Sequence, residues 1–237
     1  MSAPITRIFV DSVPETGGML ELPAGEAHHV LKVLRGRSGD QVEVVDGAGR
    51  LFAAELRGGG EAVVLEELAG PDCLDAEVSL YQAVPKGGRM DHVVEKATEV
   101  GATSIVPLLT ERGVVNPREG KVGRWRRVAE AAARQSLRLR VPEVAEPVRF
   151  SDAVSRVGAA GVLLHNAPGL EPVESIVGSS ASLFVGPEGG WSEGELRAAE
   201  ETGIAFRGLG PYRLRSETAG IVAVARALAA LENRIKR

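Results

Sequence analysis

Hydrophobic and polar positions follow two different rhythms along the chain, and the change falls near residue 77. Before it, short apolar runs are separated by glycine-rich turns, which predicts strands joined by tight connections. One helical segment, residues 26–34, interrupts this pattern. Several short strands at this spacing predict a small β-barrel. The predicted strands are residues 7–10, 41–45, 51–56 and 62–68.

After residue 77, strand-like apolar runs alternate with segments of helical periodicity. This alternation predicts an α/β domain with a parallel sheet covered on both faces. Residues 69–72 have the composition of a linker, so we expect one domain at 1–72 and a second at 73–237. The predicted strands are 78–84, 104–109, 161–165 and 183–185, and the predicted helices are 89–100, 122–138, 193–202 and 217–235.

Two glycine- and proline-containing loops near the C-terminus are the strongest functional signal. One, residues 186–190, follows an apolar strand, and the other begins at Leu209-Gly210-Pro211. Their glycines let a ligand approach the backbone closely. Ser192 and Glu195 have capping-box spacing, which predicts a helix just after the first loop. Because ligands of open α/β folds bind at the carboxyl ends of parallel strands, we expect a site where the two loops meet.

These features also have structural explanations. Glycines can simply shape a tight turn, and the helix macrodipole favours Glu217 in a first helical turn. Arg215 lies in a loop rather than on a helix face, which favours a functional role. The first loop lacks both the Walker Lys-Ser/Thr and the G-x-G-x-x-G spacing, which argues against phosphate binding. His28 and His29 have no partner at metal-ligand spacing, so we predict no metal site.

Charge is distributed unevenly along the chain. The formal net charge is −4, yet the stretch from Arg112 to Arg140 alone carries +7. Such segregation is expected of a protein that binds RNA with one basic face, and also of an amphipathic helix with a solvated basic face. Gln135 in this stretch could read a base edge or cap a neighbour, and the sequence leaves both roles open.

Cysteine content and hydropathy predict the compartment. The single cysteine, Cys73, excludes an internal disulfide framework and is typical of a reducing environment. Residues 1–30 show no signal-peptide pattern. The longest apolar-rich region, 219–231, is broken by Arg226 and is too short to span a bilayer. We therefore expect a soluble cytoplasmic protein without a membrane partner.

Over nearly its whole length the sequence resembles the ribosomal RNA small-subunit methyltransferase E (RsmE) family of SPOUT-type methyltransferases. The resemblance depends on the two C-terminal loops, in this order and separation, and on further motifs in register. Two small departures are Ser216, where the family commonly has Thr, and Trp191 after the glycine pair. The further motifs are Thr6-Arg7-Ile8-Phe9-Val10, the run from His28-His29 to Arg35 with Gly39-Asp40, Lys86-Gly87-Gly88-Arg89-Met90-Asp91, the run from Glu95 to Gly101, Glu111-Arg112, Arg124-Trp125 and the run from Ala131 to Ser136.

The resemblance implies both a fold and an activity. It implies a PUA-like RNA-binding β-barrel at 1–72 and a SPOUT domain with a C-terminal trefoil knot at 73–237. The implied enzyme is a homodimer that uses S-adenosylmethionine to methylate N3 of a uridine in 16S rRNA of the small ribosomal subunit. Two alternatives stay open: a non-catalytic RNA-binding protein of the same fold, and an α/β enzyme that uses a nucleotide.

The resemblance also assigns roles to residues. Arg215 would stabilise negative charge on the uracil oxygens, and Glu217 would accept the N3 proton. The implied cofactor-binding residues are Leu164, His165, Gly186, Pro187, Glu188, Gly189, Leu209, Gly210, Leu214, Ser216 and Thr218. The implied RNA-binding residues are Arg7, Lys32, Arg35, Arg89, Arg112, Arg124, Arg126, Arg127 and Gln135.

Overall fold

The computed structural model describes residues 7–69, 76–115, 117 and 120–235. Contacts divide these residues into two units. One consists of 7–69 with 133–141, and the other of the remaining described residues. Most of the linker predicted at 69–72, and Cys73 beside it, lie outside the described residues.

The first unit is built on a five-stranded sheet. Its strand order is β1-β3-β4-β5-β2, with β1 parallel to β3 and the other pairs antiparallel. Alternate residues point inward, so Ile8, Val44, Leu56 and Val64 are almost fully buried in one core. The strands are β1 (Arg7–Phe9), β2 (Met19–Glu21), β3 (Gln41–Val45), β4 (Leu51–Gly58) and β5 (Glu61–Leu68).

The predicted β-rich N-terminal architecture is confirmed, with one strand added. Helix α1 (Ala24–His28) continues into a π-helical turn at His29–Val33, within the predicted helical segment. The sequence prediction missed β2 because only Leu20 of its three residues is buried. A single buried residue leaves no alternation to detect.

Residues 133–141 belong to the first unit although they lie far along the chain. Leu139 packs in a small core with Phe9, Val45 and Leu51. Arg7 donates from Nε and Nη2 to Glu43, at 2.8 and 2.6 Å, and from Nη1 to the carbonyl of Leu137. The Arg7 side chain is largely buried in these interactions and braces the unit, and its contact with RNA stays a prediction.

The second unit contains a seven-stranded sheet in which every pair is parallel. Its order is β12-β10-β11-β6-β7-β8, with β9 also paired to β7. The strands are β6 (Glu77–Ala83), β7 (Ser104–Leu109), β8 (Glu143–Val144), β9 (Val148–Arg149), β10 (Gly161–Leu164), β11 (Ser180–Val185) and β12 (Ala205–Arg207). The helices that follow α1 are α2 (Met90–Glu99), α3 (Lys121–Gln135), α4 (Phe150–Val157), α5 (Glu193–Glu201) and α6 (Ser216–Ile235).

This sheet confirms the predicted α/β class. Central strands carry nearly continuous apolar runs, as expected of strands buried on both faces, and Leu80, Leu163 and Leu183 have no exposed surface. The prediction did not include α4, β8, β9 and β12. The three strands among them have only two or three residues each, too few for a periodic signal. No helix in the described part of the chain is long and apolar enough to cross a membrane.

The predicted capping box at the start of α5 is confirmed. The Ser192 hydroxyl accepts the Glu195 N–H at 3.0 Å, and the Glu195 carboxylate accepts the Ser192 N–H at 2.8 Å. The second carboxylate oxygen of Glu195 accepts the backbone N–H of Glu111 at 2.9 Å. The cap therefore also fixes the loop that follows β7.

A buried amide limits the space beside α6. Gln82 has no exposed surface, and its Nε2 donates to the Ala83 carbonyl at 3.0 Å and to the Ser216 hydroxyl at 2.9 Å. These bonds fix Oε1 against Gly220, where an added Cβ would overlap it. Gly220 therefore leaves room for Gln82.

We predict that Gly220→Ala destabilises the protein by about 1–3 kcal/mol, because Gln82 must give up hydrogen bonds or α6 must shift. Urea unfolding measures this change. Gly123→Ala in α3 is the matched control, since its added methyl meets nothing within 4 Å and is expected to stabilise by about 0.5–1 kcal/mol. A stabilised Gly220→Ala variant would show that Gln82 moves freely.

Candidate active site

A cavity of about 500 Å³ lies at the carboxyl ends of the parallel strands. It is lined by the end of β10, the loop after β11 and the loop between β12 and α6. The two glycine-containing loops therefore do meet at one edge of the sheet. Of the implied cofactor-binding residues, those that line the cavity are Leu164, His165, Gly186, Pro187, Glu188, Leu209, Gly210, Leu214 and Ser216.

Trp191 joins the first loop to the sheet. Its Nε1 donates to the Leu164 carbonyl at 3.0 Å, and its ring packs on Phe150 with centroids 4.8 Å apart. Gly186 packs so closely on the indole of Trp191 that an added Cβ would lie 3.0 Å from the ring. Sequence analysis assigned Trp191 no role, since nothing local shows which carbonyl its N–H reaches.

Side-chain donors hold the carbonyl groups of both loops. Ser216 Oγ donates to the Gly186 carbonyl at 2.6 Å, and Arg213 Nη2 donates to the Glu188 carbonyl at 3.2 Å. The Leu209 carbonyl accepts from Arg226 Nη1 at 2.7 Å. Each bond fixes the plane of one peptide, so the cavity wall is organised before a ligand enters.

Arg226 is itself held by a carboxylate. Its Nε and Nη2 donate to the two oxygens of Glu174 at 2.5 and 2.8 Å. Burial alone would raise the pKa of Glu174, but the hydrogen bonds and charge of Arg226 outweigh it and hold this pKa below its ordinary value of 4.5. Glu174 is therefore ionised at neutral pH and keeps Arg226 in place.

Arg215 lines the cavity with an exposed guanidinium. Within the described part of the chain, its side chain makes no hydrogen bond or ion pair. The neighbouring Arg213, by contrast, is tied to the first loop. Arg215 is thus a positive charge beside the cavity that is not engaged in holding the fold.

Glu217 is buried in the first turn of α6 and does not line the cavity. Its Oε1 lies 3.6 Å from Arg89 Nη1, and the same guanidinium nitrogen lies 3.7 Å from Glu188. The other oxygen, Oε2, is buried with no hydrogen-bond partner among the described residues. An unsatisfied buried carboxylate oxygen is costly, so this oxygen leaves one hydrogen-bonding position unfilled at the start of α6.

Two implied cofactor residues also lie outside the cavity. Gly189 faces Arg112, whose Nη1 donates to its carbonyl at 3.1 Å. Thr218 is exposed on α6. Residues that line the cavity and that the sequence did not assign to the cofactor are Asn166, Val185, Gly190, Trp191, Tyr212, Arg213, Arg215 and Ala219.

The arginines of α3 differ in how far they are engaged. Arg124 pairs with Asp91 through Nε and Nη2, at 2.8 and 2.6 Å. Arg126 donates to the Val144 carbonyl and to Glu146, both at 3.0 Å. Arg127 is exposed and contacts no carboxylate among the described residues, with only a 3.3 Å bond to the Gly123 carbonyl.

The other implied RNA contacts, Lys32, Arg35 and Gln135, are exposed. The described residues contain no group of three or more His, Cys, Asp or Glu side chains arranged to hold a metal ion.

Comparison with known families agrees with this geometry. A model described as an RNA methyltransferase domain matches residues 73–228, and a model described as an RNA methyltransferase PUA domain matches residues 22–68. The two models together match most of the chain.

Individual relatives are similar over most of the chain. Ribosomal RNA small subunit methyltransferase E from Synechocystis sp. is 36% identical over 222 residues, which cover 90% of this chain and 73% of the relative. The protein of that name from Mycobacterium bovis is 36% identical over 91% of this chain and 88% of its own. The crystal structure of the Neisseria gonorrhoeae enzyme bound to S-adenosyl methionine gives a TM-score of 0.84 at 28% identity, covering 97% and 98% of the two chains. The chain belongs to the ribosomal RNA small subunit methyltransferase E family.

Proposed function

We propose that this protein transfers a methyl group from S-adenosylmethionine to N3 of a uridine in 16S rRNA. Membership of the family supports rRNA methylation, and N3 of a uridine is the target that the family resemblance implies. The structural observation that supports the proposal is the unengaged guanidinium of Arg215 beside the cavity, which could stabilise negative charge on a target base.

The cavity fits an adenosine-containing cofactor. Its volume lies within the range of small-molecule sites, and backbone of two glycine loops forms much of its wall. Glu188 supplies a negative charge on the same wall, which suits a cationic ligand. When bound, S-adenosylmethionine supplies a methyl group already activated by the sulfonium, so the protein provides binding and orientation. The Neisseria relative contains the same cofactor.

Methylation at N3 of uracil requires loss of a proton and stabilisation of the charge left on the uracil oxygens. Arg215, which lines the cavity, would offer its planar fork of donors to that charge. Glu217 would accept the proton, a role that rests on the family resemblance, since its carboxylate is buried and does not line the cavity. Arg89 positions Glu217 through the contact at 3.6 Å.

We propose that the first unit is the PUA-like RNA-binding domain and that the second is the SPOUT methyltransferase domain. Exposed cations on both units would bind RNA. On the first unit these are Lys32 and Arg35, and on the second Arg127 is the α3 arginine without a described carboxylate partner. A homodimer is part of the proposal and rests on the family resemblance.

Trp191→Phe is predicted to weaken binding of S-adenosylhomocysteine, the cofactor product left after methyl transfer, by about five- to tenfold, because the Leu164 carbonyl loses its donor and the first loop loosens. Calorimetry measures the affinity. Trp125→Phe is the matched control, since it loses a 3.1 Å bond to Asp91 away from the cavity. Both variants should lose about 1 kcal/mol of stability. Equal affinities in the two variants would contradict the role of Trp191. If the parent protein bound ATP or NAD but not S-adenosylhomocysteine, the assignment of S-adenosylmethionine as cofactor would be wrong.

Arg215→Ala is predicted to slow single-turnover methylation by about a hundredfold or more, because one preorganised charge stabiliser is lost. Binding of S-adenosylhomocysteine should persist, since Arg215 holds none of the described loop carbonyls. Arg215→Lys should restore little activity, because an ammonium lacks the planar fork. Loss of cofactor binding in proportion to activity would instead make Arg215 a structural brace. Near-normal methylation would transfer the catalytic role to Glu217 or to a residue of a second copy.

Arg127→Ala is predicted to weaken rRNA binding modestly and to lower the log–log salt slope by about one, as expected for one lost phosphate contact. Arg126→Ala should change the slope less, because Glu146 and the Val144 carbonyl already occupy that guanidinium. Binding titrations at several salt concentrations separate the two. If the log–log salt slopes of both variants equalled that of the parent protein, these arginines of α3 would not be part of the RNA-binding surface.

A further inference from the structure

Arg226 links three parts of the second unit. It lies on α6, and its guanidinium grips Glu174, in the short 3₁₀ turn Val173–Ser175, with two hydrogen bonds. Its third nitrogen donates to the Leu209 carbonyl, in the loop that forms one wall of the cavity. Arg226 itself does not line the cavity.

The bond to Leu209 also fixes the next amide. The described chain contains no cis peptide bond, and in a trans peptide the C=O and the following N–H point in opposite directions. Because the Leu209 carbonyl is directed at Arg226, the Gly210 N–H is directed away from it. Gly210 lines the cavity, and its N–H has no acceptor among the described residues.

The conformation of Gly210 supports a fixed orientation for this peptide. Its φ of +113° lies in a region that L side chains rarely adopt, while an added Cβ would meet nothing within 4 Å. Glycine is therefore required here by the backbone path and not by lack of space. A loop held at this φ on one side and by Arg226 on the other presents the Gly210 N–H in one direction.

We propose that Arg226 is a positioning residue for cofactor binding, which acts by holding the Leu209–Gly210 peptide so that the Gly210 N–H donates to an acceptor atom of the bound cofactor. Glu174 fixes Arg226 for this role. The inference rests on the proposed function, because it assumes that the cavity is the cofactor site. An arginine is required, since only a planar fork reaches a carboxylate and a carbonyl together.

Calorimetry with S-adenosylhomocysteine tests the proposal. Arg226→Met should weaken binding by about tenfold, the effect of one misplaced hydrogen bond, while kcat at saturating cofactor stays within about twofold. Arg226→Lys should not restore the affinity. If Arg226→Met does not fold, Arg226→Lys serves as the test variant. Arg207→Met is the matched control, because Arg207 pairs with Glu171 at 3.1 Å in a neighbouring segment and donates to no carbonyl that lines the cavity.

A spectroscopic readout separates positioning from general stability. In protein labelled with ¹⁵N-glycine, the Gly210 amide signal should shift when S-adenosylhomocysteine binds, and this shift should be lost in the Arg226 variants but kept in Arg207→Met. Unchanged affinity in both Arg226 variants would overturn the inference, as would an equal loss in Arg207→Met. A parent protein that binds no S-adenosylhomocysteine would overturn the proposed function itself.

Discussion

The cavity depends on hydrogen bonds from side chains to the carbonyls of two loops that have no secondary structure of their own. Helices and paired strands satisfy their backbone groups with regular hydrogen bonds, but these loops rely on side-chain donors, namely Arg213 of the second loop and Ser216 and Arg226 of α6. A carbonyl left unpaired in a buried position costs about 1–3 kcal/mol, so each donor selects one peptide orientation. The bare backbone that admits a ligand is therefore shaped by residues that need not touch it.

The same residue type performs opposite tasks in this protein. Arg7, Arg124 and Arg226 are engaged with carboxylates and stabilise the fold. Arg215 and Arg127 are exposed without a carboxylate partner among the described residues. A count of basic residues along the sequence cannot make this distinction, because it depends on acidic partners distant in the chain. The local charge of +7 therefore overstates the number of cations available to RNA.

Local patterns predicted the features with local causes. The strand at Ser104–Leu109, the helix that begins at Glu193 and its Ser192–Glu195 cap follow from periodicity and spacing, and the two loops follow from their glycines. The missed features are tertiary. Residues 133–141 join the first unit, where Leu139 packs in its core. Arg226 interrupts the apolar sequence of α6 because its guanidinium bonds Glu174 and the Leu209 carbonyl. The trefoil knot implied by the family resemblance stays a prediction.

Ion pairing distinguishes Arg89 from Arg215 as a donor for the proposed reaction. Arg89 faces both Glu188 and Glu217, so this single cation is shared between two carboxylates. An arginine engaged in this way would have to weaken its ion pairs before it could stabilise charge on a uracil. Arg215 has no such pair within the described chain, and its donors are available as the charge develops. For the proposed reaction, the absence of an ion-pair partner among the described residues is therefore what would leave the donors of Arg215 free to act.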